Sequence, residues 1–241
     1  MKSISIIILL LLGFCINVSG QSLKINYREV LTMTMQLNQN GVVTTKTIST
    51  TTKDTQLSYK NGESLYEAIS EAKTETSSEN SWLKMDMFIA DPKVYKNKNK
   101  NELIAEDFIL DKNFLVVDTI YNYNWQITNE VDSIIGFKCY KATCMIPMGI
   151  ATAWFCPEIP INDGPLQYGG LPGLILKLEA QNNVITAIGL QQVSDTQLNI
   201  EKPKKGKKIT RKKFDELMAQ KMKQMDIPKD GSSSVKVKII N

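Results

Sequence analysis

Between Ala153 and Leu178 the chain reads AWFCPEIPINDGPLQYGGLPGLILKL, packing four prolines and four glycines into 26 residues. Proline fixes φ and removes a backbone donor, whereas glycine opens positive φ. So dense a mixture prescribes one backbone path. The large apolar side chains interleaved with it predict that the path lies against a core.

Around this segment the pattern is that of short strands joined by hairpins. Ile25, Tyr27, Leu31, Met33, Met35 and Leu37 share one parity, with polar residues on the other and a breach only at Glu29-Val30. That alternation predicts a half-buried strand. The Thr-rich stretch Thr44–Thr55 suits an edge strand or an ordered loop. Asn61-Gly62, between Leu57–Lys60 and Ser64–Tyr66, is a type I′ hairpin signal. Glu67–Asn80 reads as polar and mobile, Trp82–Ala90 as a further alternating stretch, and Lys93–Asn101 as a solvated turn or loop.

Strand-like segments recur at Phe114–Asp118, Trp125–Thr128, Gly136–Ile146 and Ile150–Cys156, the last two joined through Pro147–Gly149. Leu174–Glu179 and Val184–Val193 form another hairpin, turning at Gln181–Asn183. A helix is predicted over 211–226, with Thr210 as N-cap and Phe214, Leu217, Met218, Met222 and Met225 at helical spacing. Val235, Val237 and Ile239 make a last short strand. The fold class is mainly β with minor α: a single curved antiparallel sheet or half-barrel built of hairpins, with one C-terminal helix.

Residues 1–20 read as a signal peptide, with Lys2, the apolar run Ile6–Leu12 and small residues Val18-Ser19-Gly20 before Gln21. Residues 21–241 are then one β-rich domain, exported, periplasmic or secreted, and soluble. Phe14 before Cys15 disfavours a lipoprotein.

Four further stretches resemble landmarks of one known family in the expected order: YKNGESLY (Tyr59–Tyr66), NFLVVD (Asn113–Asp118), Trp125-Gln126-Ile127 and IGFKCYKA (Ile135–Ala142). With Gly170–Ile175 they resemble the GLPGLI family, exported proteins of Bacteroidetes named for that hexapeptide. The resemblance implies an exported protein and brings no defined chemistry. The chain departs from the family pattern at Met145–Ile150, where an Arg-containing polar turn is replaced by the uncharged IPMG. Tyr168–Pro172 followed by a strand also resembles, at the level of fold alone, LolA-like half-barrels, which shelter acyl chains.

The chain contains no histidine. Ser-His and Cys-His pairs and His-ligated zinc are therefore excluded. Ser81-Trp82-Leu83-Lys84 fits S-x-x-K, yet it reads as a strand and lacks partner motifs. Glu158 and Asp163 are the carboxylates that a carboxylate- or lysine-based hydrolase would use. Asp163-Gly164-Pro165 reads equally as a turn. Gly169-Gly170-Leu171-Pro172-Gly173 precedes a strand and lacks the phosphate-loop pattern, so its reading is structural.

Soft thioether and thiolate ligands select copper(I), and Cys144, Met145, Met148 and Cys156 gather around one hairpin. Met33/Met35 and Met85/Met87 repeat the pattern, though methionine is also an ordinary core filler. Strand periodicity sets Cys139 against Cys156 as a disulfide pair and leaves Cys144 buried and reduced. The run Lys202–Lys213 (KPKKGKKITRKK) is a basic linker, or a contact for an anionic membrane surface.

The expectation is a non-catalytic envelope protein, without cofactor or nucleic acid. It holds an apolar or amphipathic ligand such as a lipid, or a partner such as an outer-membrane protein, on its concave face. Trp154, Glu158, Asp163 and Gly169–Gly173 form the ligand or structural loop. A carboxylate or lysine hydrolase and a copper-binding protein are the alternatives.

Overall fold

Asn61 and Gly62 both adopt positive φ, 50° and 83°. This is the type I′ geometry whose twist matches that of paired strands. It joins β2 (Val42–Lys60) to β3 (Glu63–Ala68), with Lys60 opposite Glu63. The protein is seen here as a computed structural model that describes residues 22–39, 42–76, 91–147 and 149–224. The expected signal peptide, Ser81–Lys84, Met85 and Met87, Met148 and the strand expected at Val235–Ile239 lie outside them.

The remaining strands are β1 (Ser22–Gln39), β4 (Lys73–Thr76), β5 (Lys93–Asn97), β6 (Glu102–Ile109) and β7 (Lys112–Asp118). They continue with β8 (Gln126–Ile134), β9 (Phe137–Ile146), β10 (Gly149–Cys156), β11 (Leu174–Ala180), β12 (Asn183–Val193) and β13 (Lys207–Thr210). One helix, α1 (Arg211–Gln224), follows. All thirteen strands join one sheet in the order β13-β7-β6-β5-β3-β2-β1-β12-β11-β10-β9-β8, with β4 beside β3 on β2. Among the described residues the path stays open, because its two end strands do not pair. Every pairing among the described residues is antiparallel except β13 with β7, which is parallel and departs from the all-hairpin expectation.

Burial follows the pleat. Leu23, Ile25 and Tyr27 of β1 sit opposite Tyr59, Leu57 and Thr55 of β2, and this face fills the main core. Glu29, the breach in the sequence pattern, keeps the core-facing parity. It lies buried 3.9 Å from Lys53 and accepts a 2.7 Å bond from Asn183. Helix α1 starts beside Thr210, whose hydroxyl accepts from the Lys213 amide at 3.5 Å. Its Phe214 packs edge-on against Phe114 at 5.7 Å. No helix among the described residues is long and apolar enough to cross a membrane.

Three expectations are corrected. Thr44–Thr55 belongs to β2, an interior strand held by β1 on one side and by β3 and β4 on the other. Lys93–Asn101 is no solvated loop: it contains β5, whose Val94–Asn97 are buried, and only Lys98–Lys100 form a 3-10 turn. The basic run is not a free linker. Lys202 bonds Glu102 at 2.6 Å and lies 5.4 Å over the Tyr95 ring, Glu106 accepts from the amides of Lys204 and Lys205, and Lys207–Thr210 is a strand. This strap covers the second face of β5 and β6, where Leu65, Tyr95 and Ile104 pack with Ile200.

Candidate functional site

The Pro/Gly segment leaves β10 at Cys156 and returns to β11 at Leu174. Along it the amides of Ile159, Ile161 and Asp163 bond to the carbonyls of Cys156, Ile159 and Ile161. The carbonyls of Ile159 and Asp163 in turn accept from the amides of Leu174 and Ile175. Gly173 makes this closure possible: a Cβ there would stand 2.2 Å from the Cys156 carbonyl oxygen. Ile159, Ile161, Tyr168 and Leu171 are buried in the same core as Ile25, Tyr27 and Leu57. The core-facing side of the sheet, expected to hold a ligand, is thus filled at its centre by the chain's own segment.

One lysine locks it. Lys96 occupies a core-facing position of β5, opposite Ser64. Its ammonium lies 2.5 Å from Asp163 Oδ1 and donates to the carbonyls of Gly164 and Tyr168 at 2.7 and 3.0 Å. Asp163 Oδ1 also accepts from the Gly164 amide at 2.7 Å. All three ammonium donors are satisfied, which is what allows a charge to persist away from water. Nearby, the buried Tyr27 hydroxyl donates to the Ile175 carbonyl at 2.8 Å, and the Thr55 and Tyr66 hydroxyls pair at 2.7 Å. Burial pushes the phenols of Tyr27 and Tyr66 well above their ordinary range.

Against this plug stands a shelf of aromatic rings. Tyr121, Tyr123 and Trp125, from the connection between β7 and β8, are each half-buried. Tyr123 stacks on Tyr168 with centroids 4.9 Å apart and planes 19° from parallel. The Trp125 indole donates to the Gly169 carbonyl at 2.9 Å, and the Tyr121 hydroxyl donates to Asp118. Burial pushes the Tyr121 and Tyr168 phenols up to about 12; for Tyr121 the Asp118 carboxylate adds to it.

The shelf continues into β8. Ile127 and Val131 stand opposite Ala142 and Tyr140 of β9, across a bulge, and so share the core-facing side. They are nevertheless 53% and 49% exposed. Among the described residues β8 pairs only with β9, so its outer edge is unpaired.

The residues singled out from sequence separate. Asp163, Gly169, Leu171 and Gly173 are buried in the plug, whereas Glu158, Gly170 and Pro172 are exposed. Glu158 and Asp163 share no bond, and the Asp163 carboxylate is committed to Lys96. Trp154 pairs with Lys141 and Lys177 and is half-buried against the main core, with the Lys141 ammonium 5.9 Å from its ring centroid. Cys144 is buried while Met145, its neighbour on the strand, is 78% exposed on the other face, so these two do not converge. Among the described residues no cluster of three or more Cys, Asp or Glu forms a metal site.

Cys139 and Cys156, expected as a disulfide, are free thiols, both fully buried. Continuing the register of Phe155 opposite Tyr140 sets them across from each other. Burial, followed by the neighbouring Cys156, pushes the Cys139 thiol up to about 12.

Lys96 and the Tyr121–Trp125 aromatics were not anticipated as site residues. For Lys96 the only local signal is the Val94-Tyr95 pair preceding it in an otherwise cationic stretch.

A family described as a protein of unknown function (Porph_ging) matches residues 147–177, the hairpin turn, β10 and the plug. No curated protein matches the chain. Among solved structures, PNGF-II in its P21 crystal form is similar with a TM-score of 0.51 and 15% identity, covering 83% of this chain and 34% of that one. The C2 form of PNGF-II gives 0.49 and 15%, covering 83% and 33%. The chain therefore spans about a third of the length of the solved protein it resembles, and the likeness is one of fold.

Proposed function

We propose that this chain is a non-catalytic binding scaffold of the cell envelope that docks an extended segment of a partner protein along β8. The observation that carries the reading is the exposure of Ile127 and Val131 on the core-facing side of an unpaired edge strand. An added strand would satisfy the free backbone groups of β8 and cover these two side chains, the mode by which sheet edges recruit peptides. The Tyr123–Trp125 shelf extends the apolar surface past the end of the strand. Glu130 is held by Lys141, which leaves Asp132 as the carboxylate beside Val131 outside any ion pair among the described residues, so the fitting segment carries a cationic residue among its apolar ones.

The test is selection of a random peptide library on the folded protein, with a Val131→Pro variant as the counter-target. Proline removes a donor and spoils the edge without touching the core. Selected peptides should combine apolar residues with a basic one and lose binding to the variant. Peptides that hold both proteins equally, or no enrichment at all, would overturn the reading.

A further inference from the structure

At the other end of the strand order, where α1 leaves β13, the surface opens into a groove of about 590 Å³. Ligand sites typically span about 300 to 1,000 Å³. Its apolar lining on the helix side comes from Ile209 of β13 and Leu217 of α1, which pack with Phe114 and Val116, whereas Val117, also at the opening, belongs to the other face of the sheet. Beside them stand Lys207 of β13 and Lys213 of α1, with Glu216 as the single opposing charge, while Lys208 alternates to the other face.

These lysines differ from others of the same basic run. Lys202 is neutralised by Glu102, Lys204 by Glu201, and Arg211 lies between Asp107 and Asp215. The ammonium groups of Lys207 and Lys213 meet no carboxylate and no hydrogen-bond acceptor within the described residues. The run is thus split by the fold: one part ties the strap to the sheet, and the other surrounds an apolar trough with unpaired positive charge. Chance exposure of lysines does not require an apolar floor, and an apolar floor alone does not select charge. Together they match a molecule with one acyl chain and an anionic head.

We propose that this groove binds a single-chain amphipathic anion, the chain lying on Ile209 and Leu217 and the acidic head against Lys207 and Lys213. The site is separate from β8 and does not depend on the partner-docking reading. Head and chain act jointly: ammonium groups beside low-dielectric apolar surface attract an anion more strongly than lysines surrounded by water, while the chain supplies the area-dependent part of the affinity.

Calorimetric titration of the folded protein with dodecyl phosphate, below its micelle concentration, tests this. Inorganic phosphate and dodecyl maltoside are the headgroup-only and neutral-head arms. Dodecyl phosphate should bind in the micromolar range, and both controls at least about tenfold more weakly. Lys207→Gln and Lys213→Gln, both at exposed positions, should each weaken it about fivefold, the contribution of one lysine near an anionic group, while Lys208→Gln on the other face should not. Leu217→Ala should weaken it about tenfold through lost apolar contact.

Flotation with phosphatidylglycerol vesicles separates a free amphiphile from a membrane surface. Vesicle binding that ignores Leu217→Ala, with no dodecyl phosphate uptake, would mean surface attraction only and would overturn the groove. A Kd weaker than about 1 mM for dodecyl phosphate, or equal affinity for dodecyl maltoside, would overturn it as well.

Discussion

The ammonium of Lys96 and the carboxylate of Asp163 stand 2.5 Å apart with neither side chain more than 4% exposed. Removing one partner leaves a charge buried without compensation, whereas removing both does not. Lys96→Met and Asp163→Leu should each lower unfolding free energy by about 3–5 kcal/mol, and the double variant should regain most of that loss. Urea denaturation of the four proteins measures the coupling; additive losses would mean the pair does not act as a unit.

Alkaline pH should unfold the protein through its phenols. Tyr27, Tyr66, Tyr121, Tyr123 and Tyr168 all have pKa values raised by burial above the unfolded value near 10. In that case the folded state holds protons that the unfolded state releases. Stability is unaffected below pH 10 and falls as pH rises from 10 towards the folded values. Each such group contributes up to about 1.4 kcal/mol per pH unit in that window. Phenolate absorbance should therefore rise together with the loss of β-sheet circular dichroism; tyrosines that ionise while the sheet persists would contradict this.

Gly173→Ala should cost about 3 kcal/mol or more, because its Cβ would collide with the Cys156 carbonyl backbone. Gly170→Ala is the matched control. Nothing lies within 4 Å of its Cβ position, and its φ of 87° alone should cost about 1 kcal/mol. Equal melting points for the two variants would remove the close approach as the reason for glycine at 173.

Ile135→Asn should stabilise the protein by about 1 kcal/mol. Ile135 sits at φ 46° before Gly136 at 84°, in the hairpin between β8 and β9. A β-branched side chain is disfavoured in that region, where asparagine is tolerated. A fall in melting temperature would show that the 36% exposed Ile135 side chain contributes more by contact than its backbone strain removes.

The three buried thiols should resist alkylation at pH 8 in the folded protein, since burial raises the pKa of all of them. Refolding the reduced chain with glutathione disulfide should join Cys139 to Cys156. A peptide map linking Cys144 to either of them would refute that register.

What the sequence made legible and what it hid divide along one line. The turn that needs special backbone at Asn61-Gly62, the hairpin that sets Ile146 opposite Gly149, and strands with clean alternation, such as β1, were readable because local chemistry sets them. Residues placed by distant partners were not. Lys96 stands in KVYKNKNKN, a stretch whose composition signals solvent, and only Asp163 and two carbonyls of the plug give it a buried place. The same holds for Lys202, drawn onto Tyr95 and Glu102 by a strap no periodicity announces. Glu29 broke the pattern of β1 for a like reason, its counterpart Lys53 lying on another strand. The aromatic shelf was half visible, since Trp125 was noted, yet its bond to Gly169 joins segments that only the folded sheet brings together.

The return of Gly173 to the backbone of Cys156 gives the plug a single narrow neck. A loop attached at one point has no hinge about which it swings like a door. It leaves the interior only as a whole, dragging Ile161 and Leu171 into water and stripping Lys96 of its counter-charge. The interior is therefore closed by the chain's own segment, and the sheet's open surface lies along its rims.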